Sequence, residues 1–169
     1  MYRKIVRMML ACIVALALLL PSALADEPEL ASTQSFLAYL DSRDIKYTYK
    51  GVLSETEHET VQVKFNGENY DTLTVNLYFD PNGDSVSLRI YNLANATAGE
   101  NYIMSTIQKL NKAYKYAKFV YDDSDSTIQA EMDLRIDPND CGEVVSENMM
   151  MMLNVVDYEE VHSMLSALE

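Results

Sequence analysis

The middle of the chain alternates apolar and polar residues with a period of two, and this pattern restricts the fold more than any other feature. The alternation runs through residues 61–65, 73–79 and 86–91, and turn-like sequences separate the runs at residues 66–67 and 80–84. Side chains of a strand point alternately to its two faces, so each run has one apolar and one polar face. We therefore predict three strands of an antiparallel meander, with one face of the sheet buried and the other exposed.

Helix-period stripes lie on both sides of this meander. Residues 33–40 place large apolar side chains on one face, and Ser32 or Thr33 can supply the N-cap of that helix. A second helix follows the meander, and Thr97 and Glu100 have the spacing of a capping box at its start. Both stripes indicate helices that cover an apolar surface.

The rest of the chain completes a mixed fold. A short strand begins at Ile45, further strands are predicted over residues 119–121 and 128–136, and two helices carry apolar stripes over residues 144–156 and 161–168. The predicted order is α-β-β-β-β-α-β-β-α-α. This order indicates an α+β protein in which an antiparallel sheet has helices packed on one face.

Residues 1–25 have the parts of a secretory signal peptide, namely a basic start, a charge-free run over Met8–Leu20 and a small-x-small ending. The apolar run is shorter than the ~20 residues that cross a bilayer as a helix. The alternative is a retained membrane anchor. We predict cleavage, a loose leader over residues 26–32, and a single domain over residues 33–169. The mature protein is then secreted or periplasmic, with no membrane association.

The charge of the chain restricts its partners. Residues 1–25 contain three of the 13 basic residues and none of the 26 acidic ones, so the net charge of −13 becomes −16 after cleavage. Phosphate backbones and anionic membranes repel such a chain, which argues against a nucleic-acid partner. Solubility alone explains the charge, and the alternative is an acidic surface that binds a basic protein.

Residues that could support metal binding or catalysis lack the companions that such chemistry needs. Cys141 is the single cysteine after cleavage, and we predict a small, partly buried residue and no intramolecular disulfide. Residues 80–85 begin like a calcium loop but lack the required glycine and glutamate, which favours a hairpin turn. His58 and His162 have no zinc-ligand spacing, and no nucleophile elbow or glycine-rich phosphate loop is present. The sequence therefore predicts no metal, no cofactor and no enzymatic activity.

Two groups of residues are candidates for contact with a partner. On the polar face of the predicted sheet, Tyr78 and Tyr91 lie outward on neighbouring strands, together with Arg89 and, on the last strand, Arg135. Tyrosine and arginine are enriched in binding hot spots, although a cross-strand tyrosine pair also stabilises a sheet by itself.

The second group lies in the run of four methionines over residues 149–152. Two of them are expected to face the core. Met150 and Met151 then contact the next helix or form a deformable apolar patch for a partner or a second copy of the chain. Copper(I) binding by thioethers is the remaining alternative.

The order of elements and several short matches resemble one protein family. The matching residues are Phe36-Leu37, Ile45-Lys46-Tyr47, Val61, Val63, Phe65, Leu110-Asn111, Ala117-Lys118-Phe119-Val120 and Asp157-Tyr158. Over residues 33–169 the chain resembles the YbjN-type bacterial sensory transduction regulators, whose domain is similar to type III secretion chaperones. This resemblance implies a non-enzymatic fold that binds polypeptide, often as a homodimer, and that has an acidic surface.

Two classes of function are consistent with the sequence. The first is an extracytoplasmic protein-binding or regulatory module that recognises a protein or peptide. The second is a small exported hydrolase or small-ligand-binding protein whose site is assembled from scattered residues. A deep pocket with convergent polar groups would favour the second class, and a flat face with aromatic side chains would favour the first.

Overall fold

The computed structural model describes residues 27–169, so the predicted signal peptide and its cleavage point lie outside the described residues. The elements follow the predicted order, and the prediction of an α+β fold is confirmed. In chain order they are α1 (Ala31–Ser42), β1 (Tyr47–Val52), β2 (Glu59–Phe65), β3 (Leu73–Phe79), β4 (Ser85–Asn95), α2 (Glu100–Ala113), β5 (Lys118–Asp122), β6 (Thr127–Arg135), α3 (Gly142–Val156) and α4 (Glu159–Ser166).

The six strands form one antiparallel sheet in the order β1-β2-β3-β4-β6-β5. Strands β2 to β4 are the predicted three-stranded meander, and the short predicted strand β1 pairs with β2 at its edge. Helix α2 then carries the chain across the sheet to its far edge, where β5 lies, and β6 returns between β5 and β4. The four described helices cover one face, and we call the opposite side, on which none of these four lies, the outer face.

The core lies between the helices and the inner face of the sheet. Phe79 of β3 and Phe36 of α1 are fully buried, and their ring centroids are 5.7 Å apart. Burial of one such side chain stabilises the fold by roughly 1.5–3 kcal/mol before conformational entropy is counted. Helices α1 and α3 pack closely at Gly142, where a Cβ atom would lie 2.8 Å from the carbonyl oxygen of Ser35. Only glycine permits this approach.

The predicted N-cap of α1 is wrong. The helix begins at Ala31, so Ser32 and Thr33 lie within its first turn and are buried, and Leu30 occupies the N-cap position. Glu59 of β2 replaces the local cap, because its Oε1 atom accepts hydrogen bonds from the backbone N–H groups of Glu29 (2.5 Å) and Leu30 (3.0 Å). A carboxylate from a distant strand therefore satisfies donors that precede the helix.

The capping box predicted for α2 is also wrong. Gly99 is the N-cap, and no side chain in this part of the described chain caps the helix. Thr97 instead donates its hydroxyl hydrogen bond to the backbone carbonyl of Glu169, and its N–H donates to the carbonyl of Leu168 at 2.9 Å. The carboxyl end of the chain docks here and provides a competing acceptor for the threonine.

Three smaller predictions are tested by the described residues. Asp80 Oδ1 accepts hydrogen bonds from the N–H and the side-chain amide of Asn82, both at 2.8 Å, so residues 80–85 form a hairpin turn as expected. Cys141 is more deeply buried than expected, at 1 % exposure, and burial raises the pKa of its thiol. Met149 and Met152 are the two methionines of the 149–152 run that face the core.

None of the helices within residues 27–169 is long and apolar enough to span a membrane.

Candidate functional site

The outer face has Tyr78 and Tyr91 at its centre, as predicted. The hydroxyl of Tyr91 donates a hydrogen bond to the hydroxyl of Tyr78 at 3.2 Å. The register places Tyr78 opposite Ser87, and Asn76 opposite Arg89, so the tyrosines are not direct cross-strand partners. Their hydroxyl groups are hydrogen-bonded although their backbones are offset along the two strands. The pKa of Tyr91 is raised, first by burial and then by the hydrogen bond between its hydroxyl and Tyr78, so the side chain stays neutral.

A β-bulge turns Tyr91 toward this position. The pairing of β4 with β6 shifts between Ile90 and Ala94, so that three residues of β4 lie opposite one residue of β6. Asn92, in the middle of the bulge, has a φ of 56°, in the left-handed region that asparagine tolerates better than most residues. Bulges of this kind redirect side chains, and here the redirected side chain is 42 % exposed.

A cleft opens beside the bulge. In the described chain β3 and β4 pair over Asn76–Phe79 and Val86–Arg89, and beyond these residues the two strands separate. The gap has a volume of about 470 Å³, and Tyr70 partly closes one end with a 3.5 Å hydrogen bond to the carbonyl of Leu93. The lining residues are Gln62, Tyr70, Thr72, Leu73, Thr74, Asn76, Ile90, Tyr91, Asn92 and Leu93.

The lining of this cleft is polar but uncharged. Its side-chain donors and acceptors are amides and hydroxyls, and Gln62 donates a 2.7 Å hydrogen bond to Asn76 across β2 and β3. Burial, followed by the negative charges of Asp157 and Glu169, raises the pKa of Tyr70 to about 12. The lining therefore offers hydrogen bonds but no group that exchanges a proton near neutral pH.

Arg89 is held by groups of its own chain. Its guanidinium donates hydrogen bonds to Asp133 Oδ1 (2.9 Å) and to the carbonyl of Leu88 (2.9 Å), and it lies 3.8 Å from Glu131. Burial alone would raise the pKa of Asp133, but hydrogen bonds from Ser87 and Arg89 outweigh this effect and the pKa is lowered. The side chain of Arg89 is only 18 % exposed and is bonded to β4 and β6, so it stabilises the sheet next to Tyr91.

The other predicted contact residues lie elsewhere. Arg135 is also on the outer face, but it pairs with Ser85 at the far end of β4 and forms a 2.6 Å ion pair with Asp84. Met150 is 39 % exposed and Met151 half-buried, and both belong to α3 in the helix layer. The structure thus brings together Tyr78, Arg89 and Tyr91, and it separates them from Arg135 and the methionines.

Histidine and acidic residues do not converge on a metal site within residues 27–169, where no group of three or more such ligands is arranged to hold an ion. His58 lies 3.9 Å from Asp80 near the hairpin turn. His162 packs edge-on against Tyr70 at a centroid distance of 4.8 Å. The two histidines therefore occupy separate structural environments.

Sequence reasoning missed the bulge and the cleft, which are the main features of this site. The predicted strand ended at Tyr91, whereas β4 continues to Asn95. One signal was present, because Asn92 directly follows an alternating run and asparagine favours left-handed backbone. The separation of β3 from β4 has no comparable signal in β3, which keeps its apolar–polar alternation through residues 73–75 beside the gap.

Comparison with known proteins supports the fold. No family model matches the chain, and no curated protein matches it. Among solved structures, a chain from the crystal structure of the ExsC–ExsE complex covers 85 % of this chain and 100 % of its own length, with 11 % sequence identity and a TM-score of 0.51. At this identity the likeness shows the fold alone, and the type III secretion chaperone-like architecture that the resemblance implied is confirmed.

Proposed function

We propose that this chain is a non-enzymatic, extracytoplasmic module that binds a protein or peptide on the outer face of its sheet. The observation that carries the proposal is the hydrogen-bonded pair of Tyr78 and Tyr91 beside the uncharged cleft. Tyrosine combines a large contact area with a polar tip and loses little conformational entropy on binding. The amides and hydroxyls of the cleft match the hydrogen-bonding groups of a peptide backbone.

The support from fold likeness is indirect. The related structure is a complex of ExsC with ExsE, and a shared architecture makes protein binding a reasonable expectation for this chain. We further propose that this chain is an exported relative of the YbjN-type regulators, that it acts as a regulatory module, and that it assembles as a homodimer. The signal-like residues 1–25 support export, and intact-mass analysis of exported protein should show a chain that begins at Asp26.

The volume of the cleft favours a second candidate, a small-ligand-binding protein or small hydrolase. Its size falls in the range of roughly 300–1,000 Å³ that is typical of ligand pockets. None of the ten lining residues is an aspartate, glutamate, histidine, lysine or cysteine. A hydrolase would need a general base or an activated nucleophile within reach, so the lining favours recognition over catalysis.

Two double variants test the proposal. Tyr78→Ala with Tyr91→Ala removes the tyrosine pair, and Tyr102→Ala with Tyr158→Ala removes two tyrosines that are 49 % and 54 % exposed outside the sheet. Each tagged protein is used to recover partners from the exported fraction of the native host, with melting temperature as the control for folding. We expect the first pair to lose a partner that the wild type and the second pair retain. Equal recovery by all three proteins would contradict the proposal.

A further inference from the structure

Strand β6 extends beyond its neighbour and leaves part of one edge open. β5 pairs with Thr127–Glu131 of β6, whereas Met132–Arg135 continue along β4. Within residues 27–169 no strand lies on the other side of Met132–Arg135. Residues 114–117 connect α2 to β5 without pairing with β6, and Lys115 and Tyr116 line a gap beside residues 132–134. An unpaired strand edge is a template for an added strand.

The outer edge of β5 is blocked at Phe119. The side-chain amide of Asn111 donates a 2.9 Å hydrogen bond to the carbonyl of Phe119 and accepts a 2.7 Å hydrogen bond from its N–H. This single side chain thus occupies both backbone groups of Phe119 as a neighbouring strand would. This side of the sheet is thus blocked at Phe119 of β5 and open at Met132–Arg135 of β6.

A groove of about 250 Å³ follows the open edge. Met132 and Leu134, both half-buried, supply its apolar surface, and Asn148 of α3 forms part of the opposite wall. Tyr116, which is 56 % exposed, stands at its mouth. The groove therefore combines a free backbone edge with apolar side chains and one aromatic ring.

The charge beside this groove is opposite to that of the whole chain. Residues 101–121 contain four lysines and no acidic residue, although the protein has a net charge of −13. Two of these lysines, Lys115 and Lys118, are exposed and line the groove. Two carboxylates, Asp133 and Glu131, also line the groove, and both lie beside Arg89, at 2.9 Å and 3.8 Å. With Arg89 counted against these two carboxylates, Lys115 and Lys118 leave a small net positive charge at the groove, which favours an acidic occupant.

We propose that this groove binds an extended, acidic peptide segment of a partner protein, which adds as a strand to Met132–Arg135. Four strand residues cover about 13 Å, so a short segment fills the open edge. Side chains of an added strand alternate between the two faces. Apolar residues of the segment contact Met132 and Leu134, and its acidic residues lie beside Lys118 and Lys115.

The opposite edge of the sheet is a poorer template. The pairing of β1 with β2 is irregular between Tyr49 and Gly51, and Gly51 has a φ of 77°. Such a bulge interrupts the regular edge that an added strand would need. This groove is separate from the tyrosine pair, so the inference goes beyond the proposed function and does not depend on it.

A synthetic peptide provides the test. A dye-labelled peptide of about ten residues that alternates valine and glutamate is titrated with the full exported protein, with fluorescence anisotropy as the readout. Lys115→Glu with Lys118→Glu should weaken binding by about tenfold at low salt. The matched control is Lys50→Glu with Lys64→Glu, which changes the net charge equally at exposed residues of β1 and β2, and it should change affinity by less than about twofold.

Hydrogen exchange identifies the bound edge. Bound peptide should slow amide exchange in Met132–Arg135, and Tyr78→Ala with Tyr91→Ala should leave peptide affinity unchanged. The inference is overturned if the wild type does not bind the peptide, if both lysine pairs weaken it equally, or if the slowed amides lie in β1 or in β3. Loss of the natural partner only in the tyrosine variant would support the proposed function. The peptide titration independently tests whether the groove binds an acidic segment.

Discussion

Strands β3 and β4 are paired in one half and open in the other, and we expect the two halves to contribute differently to stability. At Asn76–Phe79 the strands form a regular ladder above the buried contact of Phe79 with Phe36. From Leu73 to Val75 β3 keeps its pairing with β2 alone, and Ile90 of β4 keeps its pairing with β6. Each strand thus keeps its pairing with the neighbouring strand on the side away from the cleft. A sheet can contain a cleft at its centre without losing the fold, provided that the flanking ladders persist.

The largest expected effect is in the paired half. Phe79→Ala removes a fully buried ring against α1, and we expect the free energy of unfolding to fall by about 3–5 kcal/mol. Thr74→Ala, on the outer face of the open half, should change it by less than about 0.5 kcal/mol. Urea denaturation measures both values. Similar losses at the two positions would show that the halves are equally important for stability.

The next effect is at the boundary between the halves, where Arg89 is the last paired residue of β4 against β3. Arg89→Met should lower the free energy of unfolding by about 1–3 kcal/mol, because it removes hydrogen bonds to Asp133 and to backbone carbonyls. The pKa of Asp133 in the folded protein is lowered from its ordinary value of 3.8. The ionised Asp133 therefore contributes to the free energy of unfolding above pH 3.8, and this contribution is lost as the pH falls through the lowered pKa.

Unfolding curves across acidic pH therefore sharpen this comparison. The difference between wild type and Arg89→Met should be largest above the ordinary aspartate pKa and should shrink below it. Arg135→Met is the control, since Arg135 is 81 % exposed in its side chain and pairs with Asp84 rather than Asp133. A difference in the free energy of unfolding between wild type and Arg89→Met that stays constant with pH would mean that Arg89 acts through packing alone.

A smaller effect is expected in the bulge of the open half. Asn92 has positive φ, so Asn92→Ala should cost about 1 kcal/mol because alanine tolerates the left-handed region poorly. Asn92→Gly should be close to neutral, since glycine adopts this conformation without strain. Thermal melts compare the two. Equal stability of both variants would show that the bulge relaxes to a conformation with negative φ.

The smallest effect is at the hydroxyl contact that joins the halves. Tyr78→Phe removes one partner of the 3.2 Å hydrogen bond and leaves the ring in place. The bond is accessible to water, so the free energy of unfolding should fall by only about 0.5 kcal/mol. A loss comparable to that of Phe79→Ala would make the tyrosine pair a structural element rather than a binding surface.

The sequence alone determined the order of the elements and which face of each strand is buried. This is possible because the period of apolar residues records which side of an element meets the core, and the core is the largest stabilising term. It also placed Tyr78 and Tyr91 outward on neighbouring strands and Met149 and Met152 inward, and the structure confirms both predictions.

Tertiary structure alone decided the contacts between distant parts of the chain. Glu59 takes the place of a local cap at α1, and the carboxyl end of the chain engages Thr97, which the sequence assigned to a capping box. The cleft between β3 and β4 and the open end of β6 likewise depend on where pairing stops. Local sequence patterns record burial, whereas hydrogen-bond partners and strand ends depend on which remote groups compete for the same donors and acceptors.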